Sequence, residues 1–440
     1  MHMEDPKMFI YNLFPLLAGP FTRWEGHISR AKDMGFNWIF ANPIQEPGSS
    51  GSIYAIRDYF KINPALCEPD SERSPEEQVK DMVAIAEKKG LKMMIDLVIN
   101  HCSIDSPLLD ERPEWFERDG KGKVVNPWAD QNGRKVVWRD LARFDYLKQR
   151  DTEGLFHYFL NLLKYLIKLG FRAFRCDAAY QVPPGVWQRL IGEIRKSEPD
   201  ILFLAETLGC TARQTKQTAS AGFDFIFNSS KYWDYNRGWL IRQYELTRDI
   251  APSVSFPESH DTVRLCEELD GNVNGLKQRY LFAGLFSAAV MSTAGFEFGF
   301  RKKPHVAKTT PEDWEETAID IRGFIRGINR IKERYSVFRE EAATRIYTEG
   351  NPQVLVMWKG SSQTGQEALV ILNKDIRNFQ TFEVPDIYDL VESRRGLIDV
   401  SPENRMKVIP ISFSYDLSPG EGRVLVTGED EVFQADANMR

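Results

Sequence analysis

The sequence predicts an α/β chain built as a closed (β/α)8 TIM barrel, with a short insertion after the third strand and a carboxyl-terminal antiparallel β domain. Three observations predict it. Over roughly the first 335 residues, β-prone apolar runs alternate with helical ones, and eight strand candidates result, the number a closed barrel of this kind requires. Residues 102–151 interrupt that rhythm with turn-formers and aromatics (ERPEWFERDGKGKVVNPWADQNGRKVVWRD) and little periodicity, as a functional loop would. Beyond about residue 339 the pattern changes to short alternating strands.

In chain order, MFIYNLF (Met8 to Phe14) leads into a helical stretch from Arg23 to Met34. NWIFANP (Asn37 to Pro43) follows, and a long helix over Pro75 to Lys89 carries the chain into KMMIDLV (Lys92 to Val98), completing a βαβαβ run. The later strand candidates are FRAFRC, ILFLAE, FDFIFN (Phe223 to Asn228), SVSFPE and AAVMST (Ala288 to Thr293). TRIYTEG, VLVMWKG, EALVILNK, FQTFEVP and RVLVTG then supply the antiparallel domain. The expected division is a barrel over 1–338 that includes the insertion at 102–151, a β-sandwich domain over 339–430, and a polar frayed tail at 431–440.

Composition narrows the partners. With 42% hydrophobic and 27% charged residues the chain is an ordered globular protein, and disorder is excluded for most of its length. A net charge of −6 and a pI near 5.7 leave no basic surplus for a phosphate backbone, so nucleic acid is not an expected partner and an uncharged polymer fits better. Five scattered cysteines, an odd number, point to reduced thiols. The opening MHMEDPKMF has no basic segment followed by an apolar one, so a cytoplasmic location is expected. The longest apolar stretch, Leu281 to Phe296, contains Gly, Ser and Thr and runs into Glu297; it reads as a buried helix followed by a strand, with no membrane span. Oligomeric state is left open.

Four distant segments carry the chemistry: IDLVINH (Ile95 to His101), FRAFRCDAAY (Phe171 to Tyr180), FLAETLG (Phe203 to Gly209) and FPESHDT (Phe256 to Thr262). In each, a β-prone run ends in charged or imidazole groups, as if buried strands delivered them from their carboxyl ends to one mouth. Cleaving a glycosidic bond with retention needs a carboxylate to attack the anomeric carbon and a second carboxyl about 5 to 5.5 Å away to protonate the leaving oxygen. Asp177 and Glu206 are the candidates. Arg175 precedes Asp177 by two, so strand alternation puts both on one face, where the guanidinium would keep the carboxylate ionised. Cys176 between them would face the other way. Glu206 ends the apolar run ILFLA, and burial raises a carboxyl pKa toward that of a proton donor. Taken singly, an Asp at a strand end is more often a cap and a His more often structural; coincidence across four segments is much rarer.

At these positions the chain resembles the α-amylase superfamily, glycoside hydrolase family 13, whose four signature regions the segments match in order. The resemblance implies Asp177 as nucleophile, Glu206 as acid and then base, and Asp261 as the third acid, holding sugar hydroxyls and favouring a distorted ring. It implies Asp96, His101, Arg175 and His260 as substrate-binding residues, and Tyr54 in SIYAIRDYFKINP (Ser52 to Pro64) as the ring that stacks on the sugar, although Ala55 stands where an Asp often follows. The insertion becomes a short domain B, a lid over the cleft. Asn100 matches the family's calcium-ligand Asn, but Tyr180 and Gln181 replace the Lys-His pair whose His carbonyl supplies another ligand, so no cofactor is required and calcium is not expected. The stretch CSIDSPLLDERPEWFERDGKGKV looks like the same loop of maltosyltransferases that use maltose 1-phosphate.

The expected function is a retaining hydrolase of α-glucans or maltooligosaccharides. The alternatives are a transglycosylase of the same family, including maltosyl transfer, and a barrel that has lost catalysis and only binds; the presence of all three acids weighs against the last. GSSGS (Gly48 to Ser52) lacks the Lys of a phosphate-binding loop and reads as a loop near the mouth, and Asn228-Ser229-Ser230 reads as an idle glycosylation sequon.

Overall fold

The computed structural model describes residues 7–427 apart from 132–133, 149, 348–349 and 407, so the tail at 431–440 lies outside the described residues. Eight parallel strands close into a barrel: β1 (Phe9–Leu13), β2 (Trp38–Ala41), β3 (Lys92–Leu97), β4 (Ala173–Cys176), β5 (Leu202–Glu206), β6 (Phe225–Phe227), β7 (Ser253–Ser255) and β8 (Ala289–Thr293). Each pairs with its sequence neighbours, and β8 closes the ring on β1 through Phe9↔Val290 to Asn12↔Thr293. A helix of eight residues or more follows each strand: α1 (Trp24–Asp33), α2 (Pro75–Lys88), α3 (Thr152–Leu169), α4 (Pro184–Ser197), α5 (Ala212–Ala219), α6 (Trp239–Thr247), α7 (Val273–Phe286) and α8 (Arg322–Arg334). Local signals set the helix ends. Ser74 and Glu77 form a reciprocal cap at the start of α2, and Gly170 ends α3 at φ 109°, where a Cβ would stand 2.6 Å from Val83 Cγ1.

Strand alternation sorts the residues onto two faces. Outward positions such as Ile39, Ile95, Phe174, Cys176 and Phe203 pack under the helices, as expected for Cys176. Inward positions build a separate apolar plug that includes Ile10, Phe40, Met94, Ala173 and Leu204. Register then stacks chemistry on the plug. Ala173 pairs with Met94 and Leu202; two residues on, Arg175 pairs with Asp96 and Leu204. The plug's polar lid is therefore at the carboxyl ends of the strands.

The insertion holds more order than its lack of periodicity foretells. His101–Ser103 pairs antiparallel with Leu141–Arg143, and Trp128–Gln131 pairs with Arg134–Val137. Ribbons this short show too few alternations to be read from sequence.

The carboxyl-terminal part is a five-stranded antiparallel sheet of β9 (Ala343–Tyr347), β10 (Val354–Gly360), β11 (Glu367–Asn373), β13 (Leu397–Asp399) and β15 (Gly422–Thr427), facing a pair made of β12 (Gln380–Val384) and β14 (Phe413–Leu417). Leu355, Met357 and Val370 on one face join the barrel's outer core, while Val356, Trp358 and Leu369 on the other pack against β12 and β14. At the seam Lys359, fully buried, donates to the Phe286 carbonyl at the end of α7 (2.6 Å), and Glu341 accepts from the N–H groups of Ser253 and Ala288, both 2.9 Å. Asn228 is 4% exposed, its amide nitrogen 2.8–3.1 Å from the hydroxyls of Ser253, Ser255 and Ser287, so the sequon serves as a buried strap.

Candidate active site

Arg175 organises the mouth of the barrel. Its Nη1 donates to Asp96 Oδ1 and Oδ2 at 2.9 and 3.0 Å and to Asp177 Oδ1 at 2.8 Å, while Nη2 lies 3.0 Å from Glu206 Oε1. One buried guanidinium thus holds the acids of three strands. Just past Asp177, Ala178 takes a left-handed conformation (φ 39°, ψ 45°) that costs a non-glycine residue about 1–2 kcal/mol. Its N–H donates to Glu206 Oε2 at 2.7 Å, bringing β4 and β5 together a second time. Strain of this kind gathers at working sites.

Burial pushes Asp177 well above the usual carboxylate range; the charge of Glu206 adds to that and Arg175 opposes it. Burial also raises Glu206, again against Arg175. Two carboxyls sharing one cation in a partly dry cleft retain a proton between them more readily than either would alone. In this arrangement Glu206 Oε2 accepts from the Ala178 N–H and Oε1 is ion-paired with Arg175 Nη2, while Oδ1 of Asp177 accepts from Arg175 Nη1, so the surroundings stabilise an anion on Glu206 as well as on Asp177. Proton donation by Glu206 therefore requires one of its oxygens to give up its contact with Ala178 or Arg175.

A second network joins the strand ends. The Tyr54 hydroxyl donates to Asp96 Oδ2 (2.6 Å) and accepts from Asn42 Nδ2 (2.8 Å), and His260 Nε2 lies 2.7 Å from it. With its one proton spent on Asp96, the hydroxyl can only accept from His260, which fixes the imidazole proton on Nε2. The same nitrogen stands 3.0 Å from Asp261 Oδ2, and the Tyr54 and His260 rings stack at 5.8 Å and 8°. Burial works against charge on Asp261, but His260 and then Arg175 outweigh it and hold this carboxyl below its usual range. At 46% exposure Asp261 remains open to solvent, which weakens both effects. His101 Nε2 donates to the Tyr54 carbonyl (3.1 Å), and burial lowers its pKa to about 4, so it is neutral near pH 7.

A cavity of about 600 Å³ opens over these groups. Tyr54, His101, Asp177, Glu206 and Asp261 line it. Asp96, Arg175 and His260 lie beneath, at 0%, 4% and 2% exposure, where they orient the lining groups. Sequence reading missed Trp138 and Asp140 from the insertion and Lys303 and His305 from the loop after β8, all of which reach the cavity. None lies in a strand, so no alternation marks it. Ser50 and Ser52 bring the GSSGS loop to the mouth, as expected.

Asn100 Nδ2 donates to Gln181 Oε1 (3.3 Å), joining two of the positions that would hold calcium, and Asn100 Oδ1 is buried without a hydrogen-bond partner. Among the described residues no three His, Cys, Asp or Glu side chains gather to hold a metal ion.

Residues 5–116 match the family model for the glucanotransferase domain of glycogen debranching enzyme. Alpha-1,4-glucan:maltose-1-phosphate maltosyltransferases are similar over most of this chain. That of Burkholderia pseudomallei is 21% identical over 393 residues, 85% of this chain and 34% of the relative, and that of Picrophilus torridus 26% over 408 residues, 84% and 61%. The likeness is to the α-amylase superfamily. The chain spans only 34% to 61% of the length of these maltosyltransferases. Among solved structures, an alpha-amylase from Geobacillus thermoleovorans complexed with acarbose superposes with a TM-score of 0.79 at 16% identity, over 98% of this chain and 100% of that one. A noncanonic maltogenic alpha-amylase from Thermotoga neapolitana gives 0.75 at 21% identity, over 97% and 100%. These likenesses show a shared fold over nearly the whole of this chain. Among the described residues no helix is long and apolar enough to cross a membrane.

Proposed function

We propose that the chain acts on α-glucosidic bonds of α-glucans or maltooligosaccharides with retention, through a covalent glycosyl-enzyme intermediate. The observation that carries this reading is the single guanidinium of Arg175 joining Asp177 and Glu206 at the floor of the cavity. In the first step Asp177 attacks the anomeric carbon, the bond to the leaving oxygen breaks, and Glu206 gives that oxygen its proton. In the second, Glu206 takes the proton of an incoming hydroxyl, the hydroxyl oxygen bonds to the anomeric carbon, and the ester to Asp177 breaks. Asp261, steadied by His260, holds sugar hydroxyls, and Tyr54 offers its ring to the sugar.

Hydrolysis and transfer differ only in whether water or another acceptor supplies that hydroxyl. The maltosyltransferase relatives support transfer at least as well as hydrolysis. A second cavity of about 670 Å³ beside Tyr180, Gln181, Leu208 and Gly209 gives an acceptor room on the Glu206 side. Incubation with maltooligosaccharides, with and without inorganic phosphate or added glucan, separates the two. Shorter sugars alone mean hydrolysis; longer chains or a glycosyl phosphate mean transfer; no change in any mixture removes the reading.

A further inference from the structure

We infer that the cleft is closed on the side away from the leaving group, so that it takes the free end of a glucan chain and excludes internal stretches. The inference rests on the reading of Glu206 as proton donor given under Proposed function. The group that protonates the leaving oxygen marks the leaving-group side. Glu206 ends β5, and the residues beyond it, Leu208 and Gly209, line the second cavity, which shares Pro127, Tyr180 and Gln181 with the first. In the closed ring β1 stands four places from β5 either way round, hence opposite it.

Around β1 the loops that follow β2 and β8 meet and form a wall. The Ile53 N–H donates to the Val306 carbonyl at 2.9 Å, and a Cβ at Gly51 would stand only 3.7 Å from that of Ala307. Toward the insertion, the Ser49 N–H donates to Asp105 Oδ2 at 2.9 Å. Gly48 lies so close to the insertion that a Cβ there would come within 2.0 Å of Ser103 Oγ. At the other end Lys303 donates to the Asp261 carbonyl, tying the wall to the third acid. Ile53, fully buried against Phe14, Leu17 and Phe300, backs it with apolar packing. Loops held by backbone bonds and a buried core open far less readily than a lid hinged on exposed contacts. Ser50, Ser52 and His305 face the cavity from this wall. At about 600 Å³ the space beneath has the volume of a compact ligand site, enough for a few sugar rings.

The test compares two maltoheptaoses labelled at the reducing end, one with a free terminal ring at the other end and one with that ring's 4- and 6-hydroxyls blocked by an ethylidene group. Both are given to the full chain with water, glucan and inorganic phosphate available as acceptors. The free substrate is expected to be consumed and the blocked one to react about a hundredfold more slowly, since the added group collides with a fixed wall. Comparable rates on the two overturn the inference while leaving the glycosidic reading intact. Reaction of neither overturns that reading, and the inference with it. Asp105→Ala removes the acceptor of the Ser49 N–H; it is expected to raise the blocked-to-free rate ratio several-fold, and an unchanged ratio in a folded variant counts against the wall.

Discussion

At the scale of single residues, the chemistry turns on which of two carboxyls holds a proton. The active form needs Asp177 ionised and Glu206 protonated, so the pair must carry one proton. Below the lower apparent pKa both are neutral and attack fails; above the upper one both are charged and donation fails. Burial raises both groups, so the acid limb of a pH–rate profile is expected above the ordinary carboxylate range of about 4. An acid limb at or below that range contradicts the buried pair. Arg175→Lys loses the planar fork that reaches Asp96, Asp177 and Glu206 together, and a rate loss of about 10- to 100-fold is expected in a folded variant. Stability has its own pH signature. Burial brings His27 and His101 down to about 4 in the folded chain, below the ordinary value of 6.5. The unfolded chain then binds more protons between those limits, so stability is full above about 6.5 and is lost as pH falls toward about 4. Melting temperatures between pH 7 and 4.5 check this, and His101→Gln should flatten the slope.

Among elements, what was legible followed from periodicity. All eight barrel strands could be read because each alternates or runs apolar for several residues, and the four chemical segments lie at their ends. β13, three residues long, is too short to show alternation, whereas β14, FSYDL, does alternate with its polar residues outward, and sequence reading missed it. The bond from Ala178 to Glu206 was hidden because it depends on a left-handed alanine, which nothing in the sequence marks. Glu258 was equally silent. It stands beside the site as a 1%-exposed partner of Arg264 (2.5 Å), and it also accepts from the Leu265 N–H at 2.7 Å. Arg264 in turn donates to the Ala294 carbonyl beyond β8 (2.8 Å), so this pair clamps both ends of the turn that presents His260 and Asp261. Breaking a buried ion pair from one side costs about 3–5 kcal/mol. Glu258→Gln should therefore lower the unfolding free energy by an amount approaching that range and reduce the rate more than it weakens binding. Denaturant titration together with separate kcat and KM values decides it, and a stability change under about 0.5 kcal/mol would contradict the clamp.

For the molecule as a whole, the carboxyl-terminal sheet is part of the barrel's outer core. Its strands β10 and β11 are buried on both faces, and Lys359 and Glu341 fasten the seam to the amino-terminal ends of β7 and β8. Burial brings Lys359 down to about 8, so near neutral pH it is largely charged and donates to carbonyls that have lost their water. Lys359→Ala removes that donor and is expected to destabilise the chain by about 1–3 kcal/mol while barrel and sheet still unfold in one transition. Two separated transitions in the unmodified chain would show that the seam does not couple them.

The central claim is that Asp177 attacks a sugar held between it and Glu206. The most direct measurement exposes the chain to a 5-fluoro-α-glucosyl fluoride, whose glycosyl-enzyme ester hydrolyses slowly, and locates the added mass by peptide mass spectrometry. One added hexosyl group on the peptide holding Asp177, absent in Asp177→Asn, is the expected result. Attachment to another side chain, or turnover of glucan by Asp177→Asn at the unmodified rate, would contradict it.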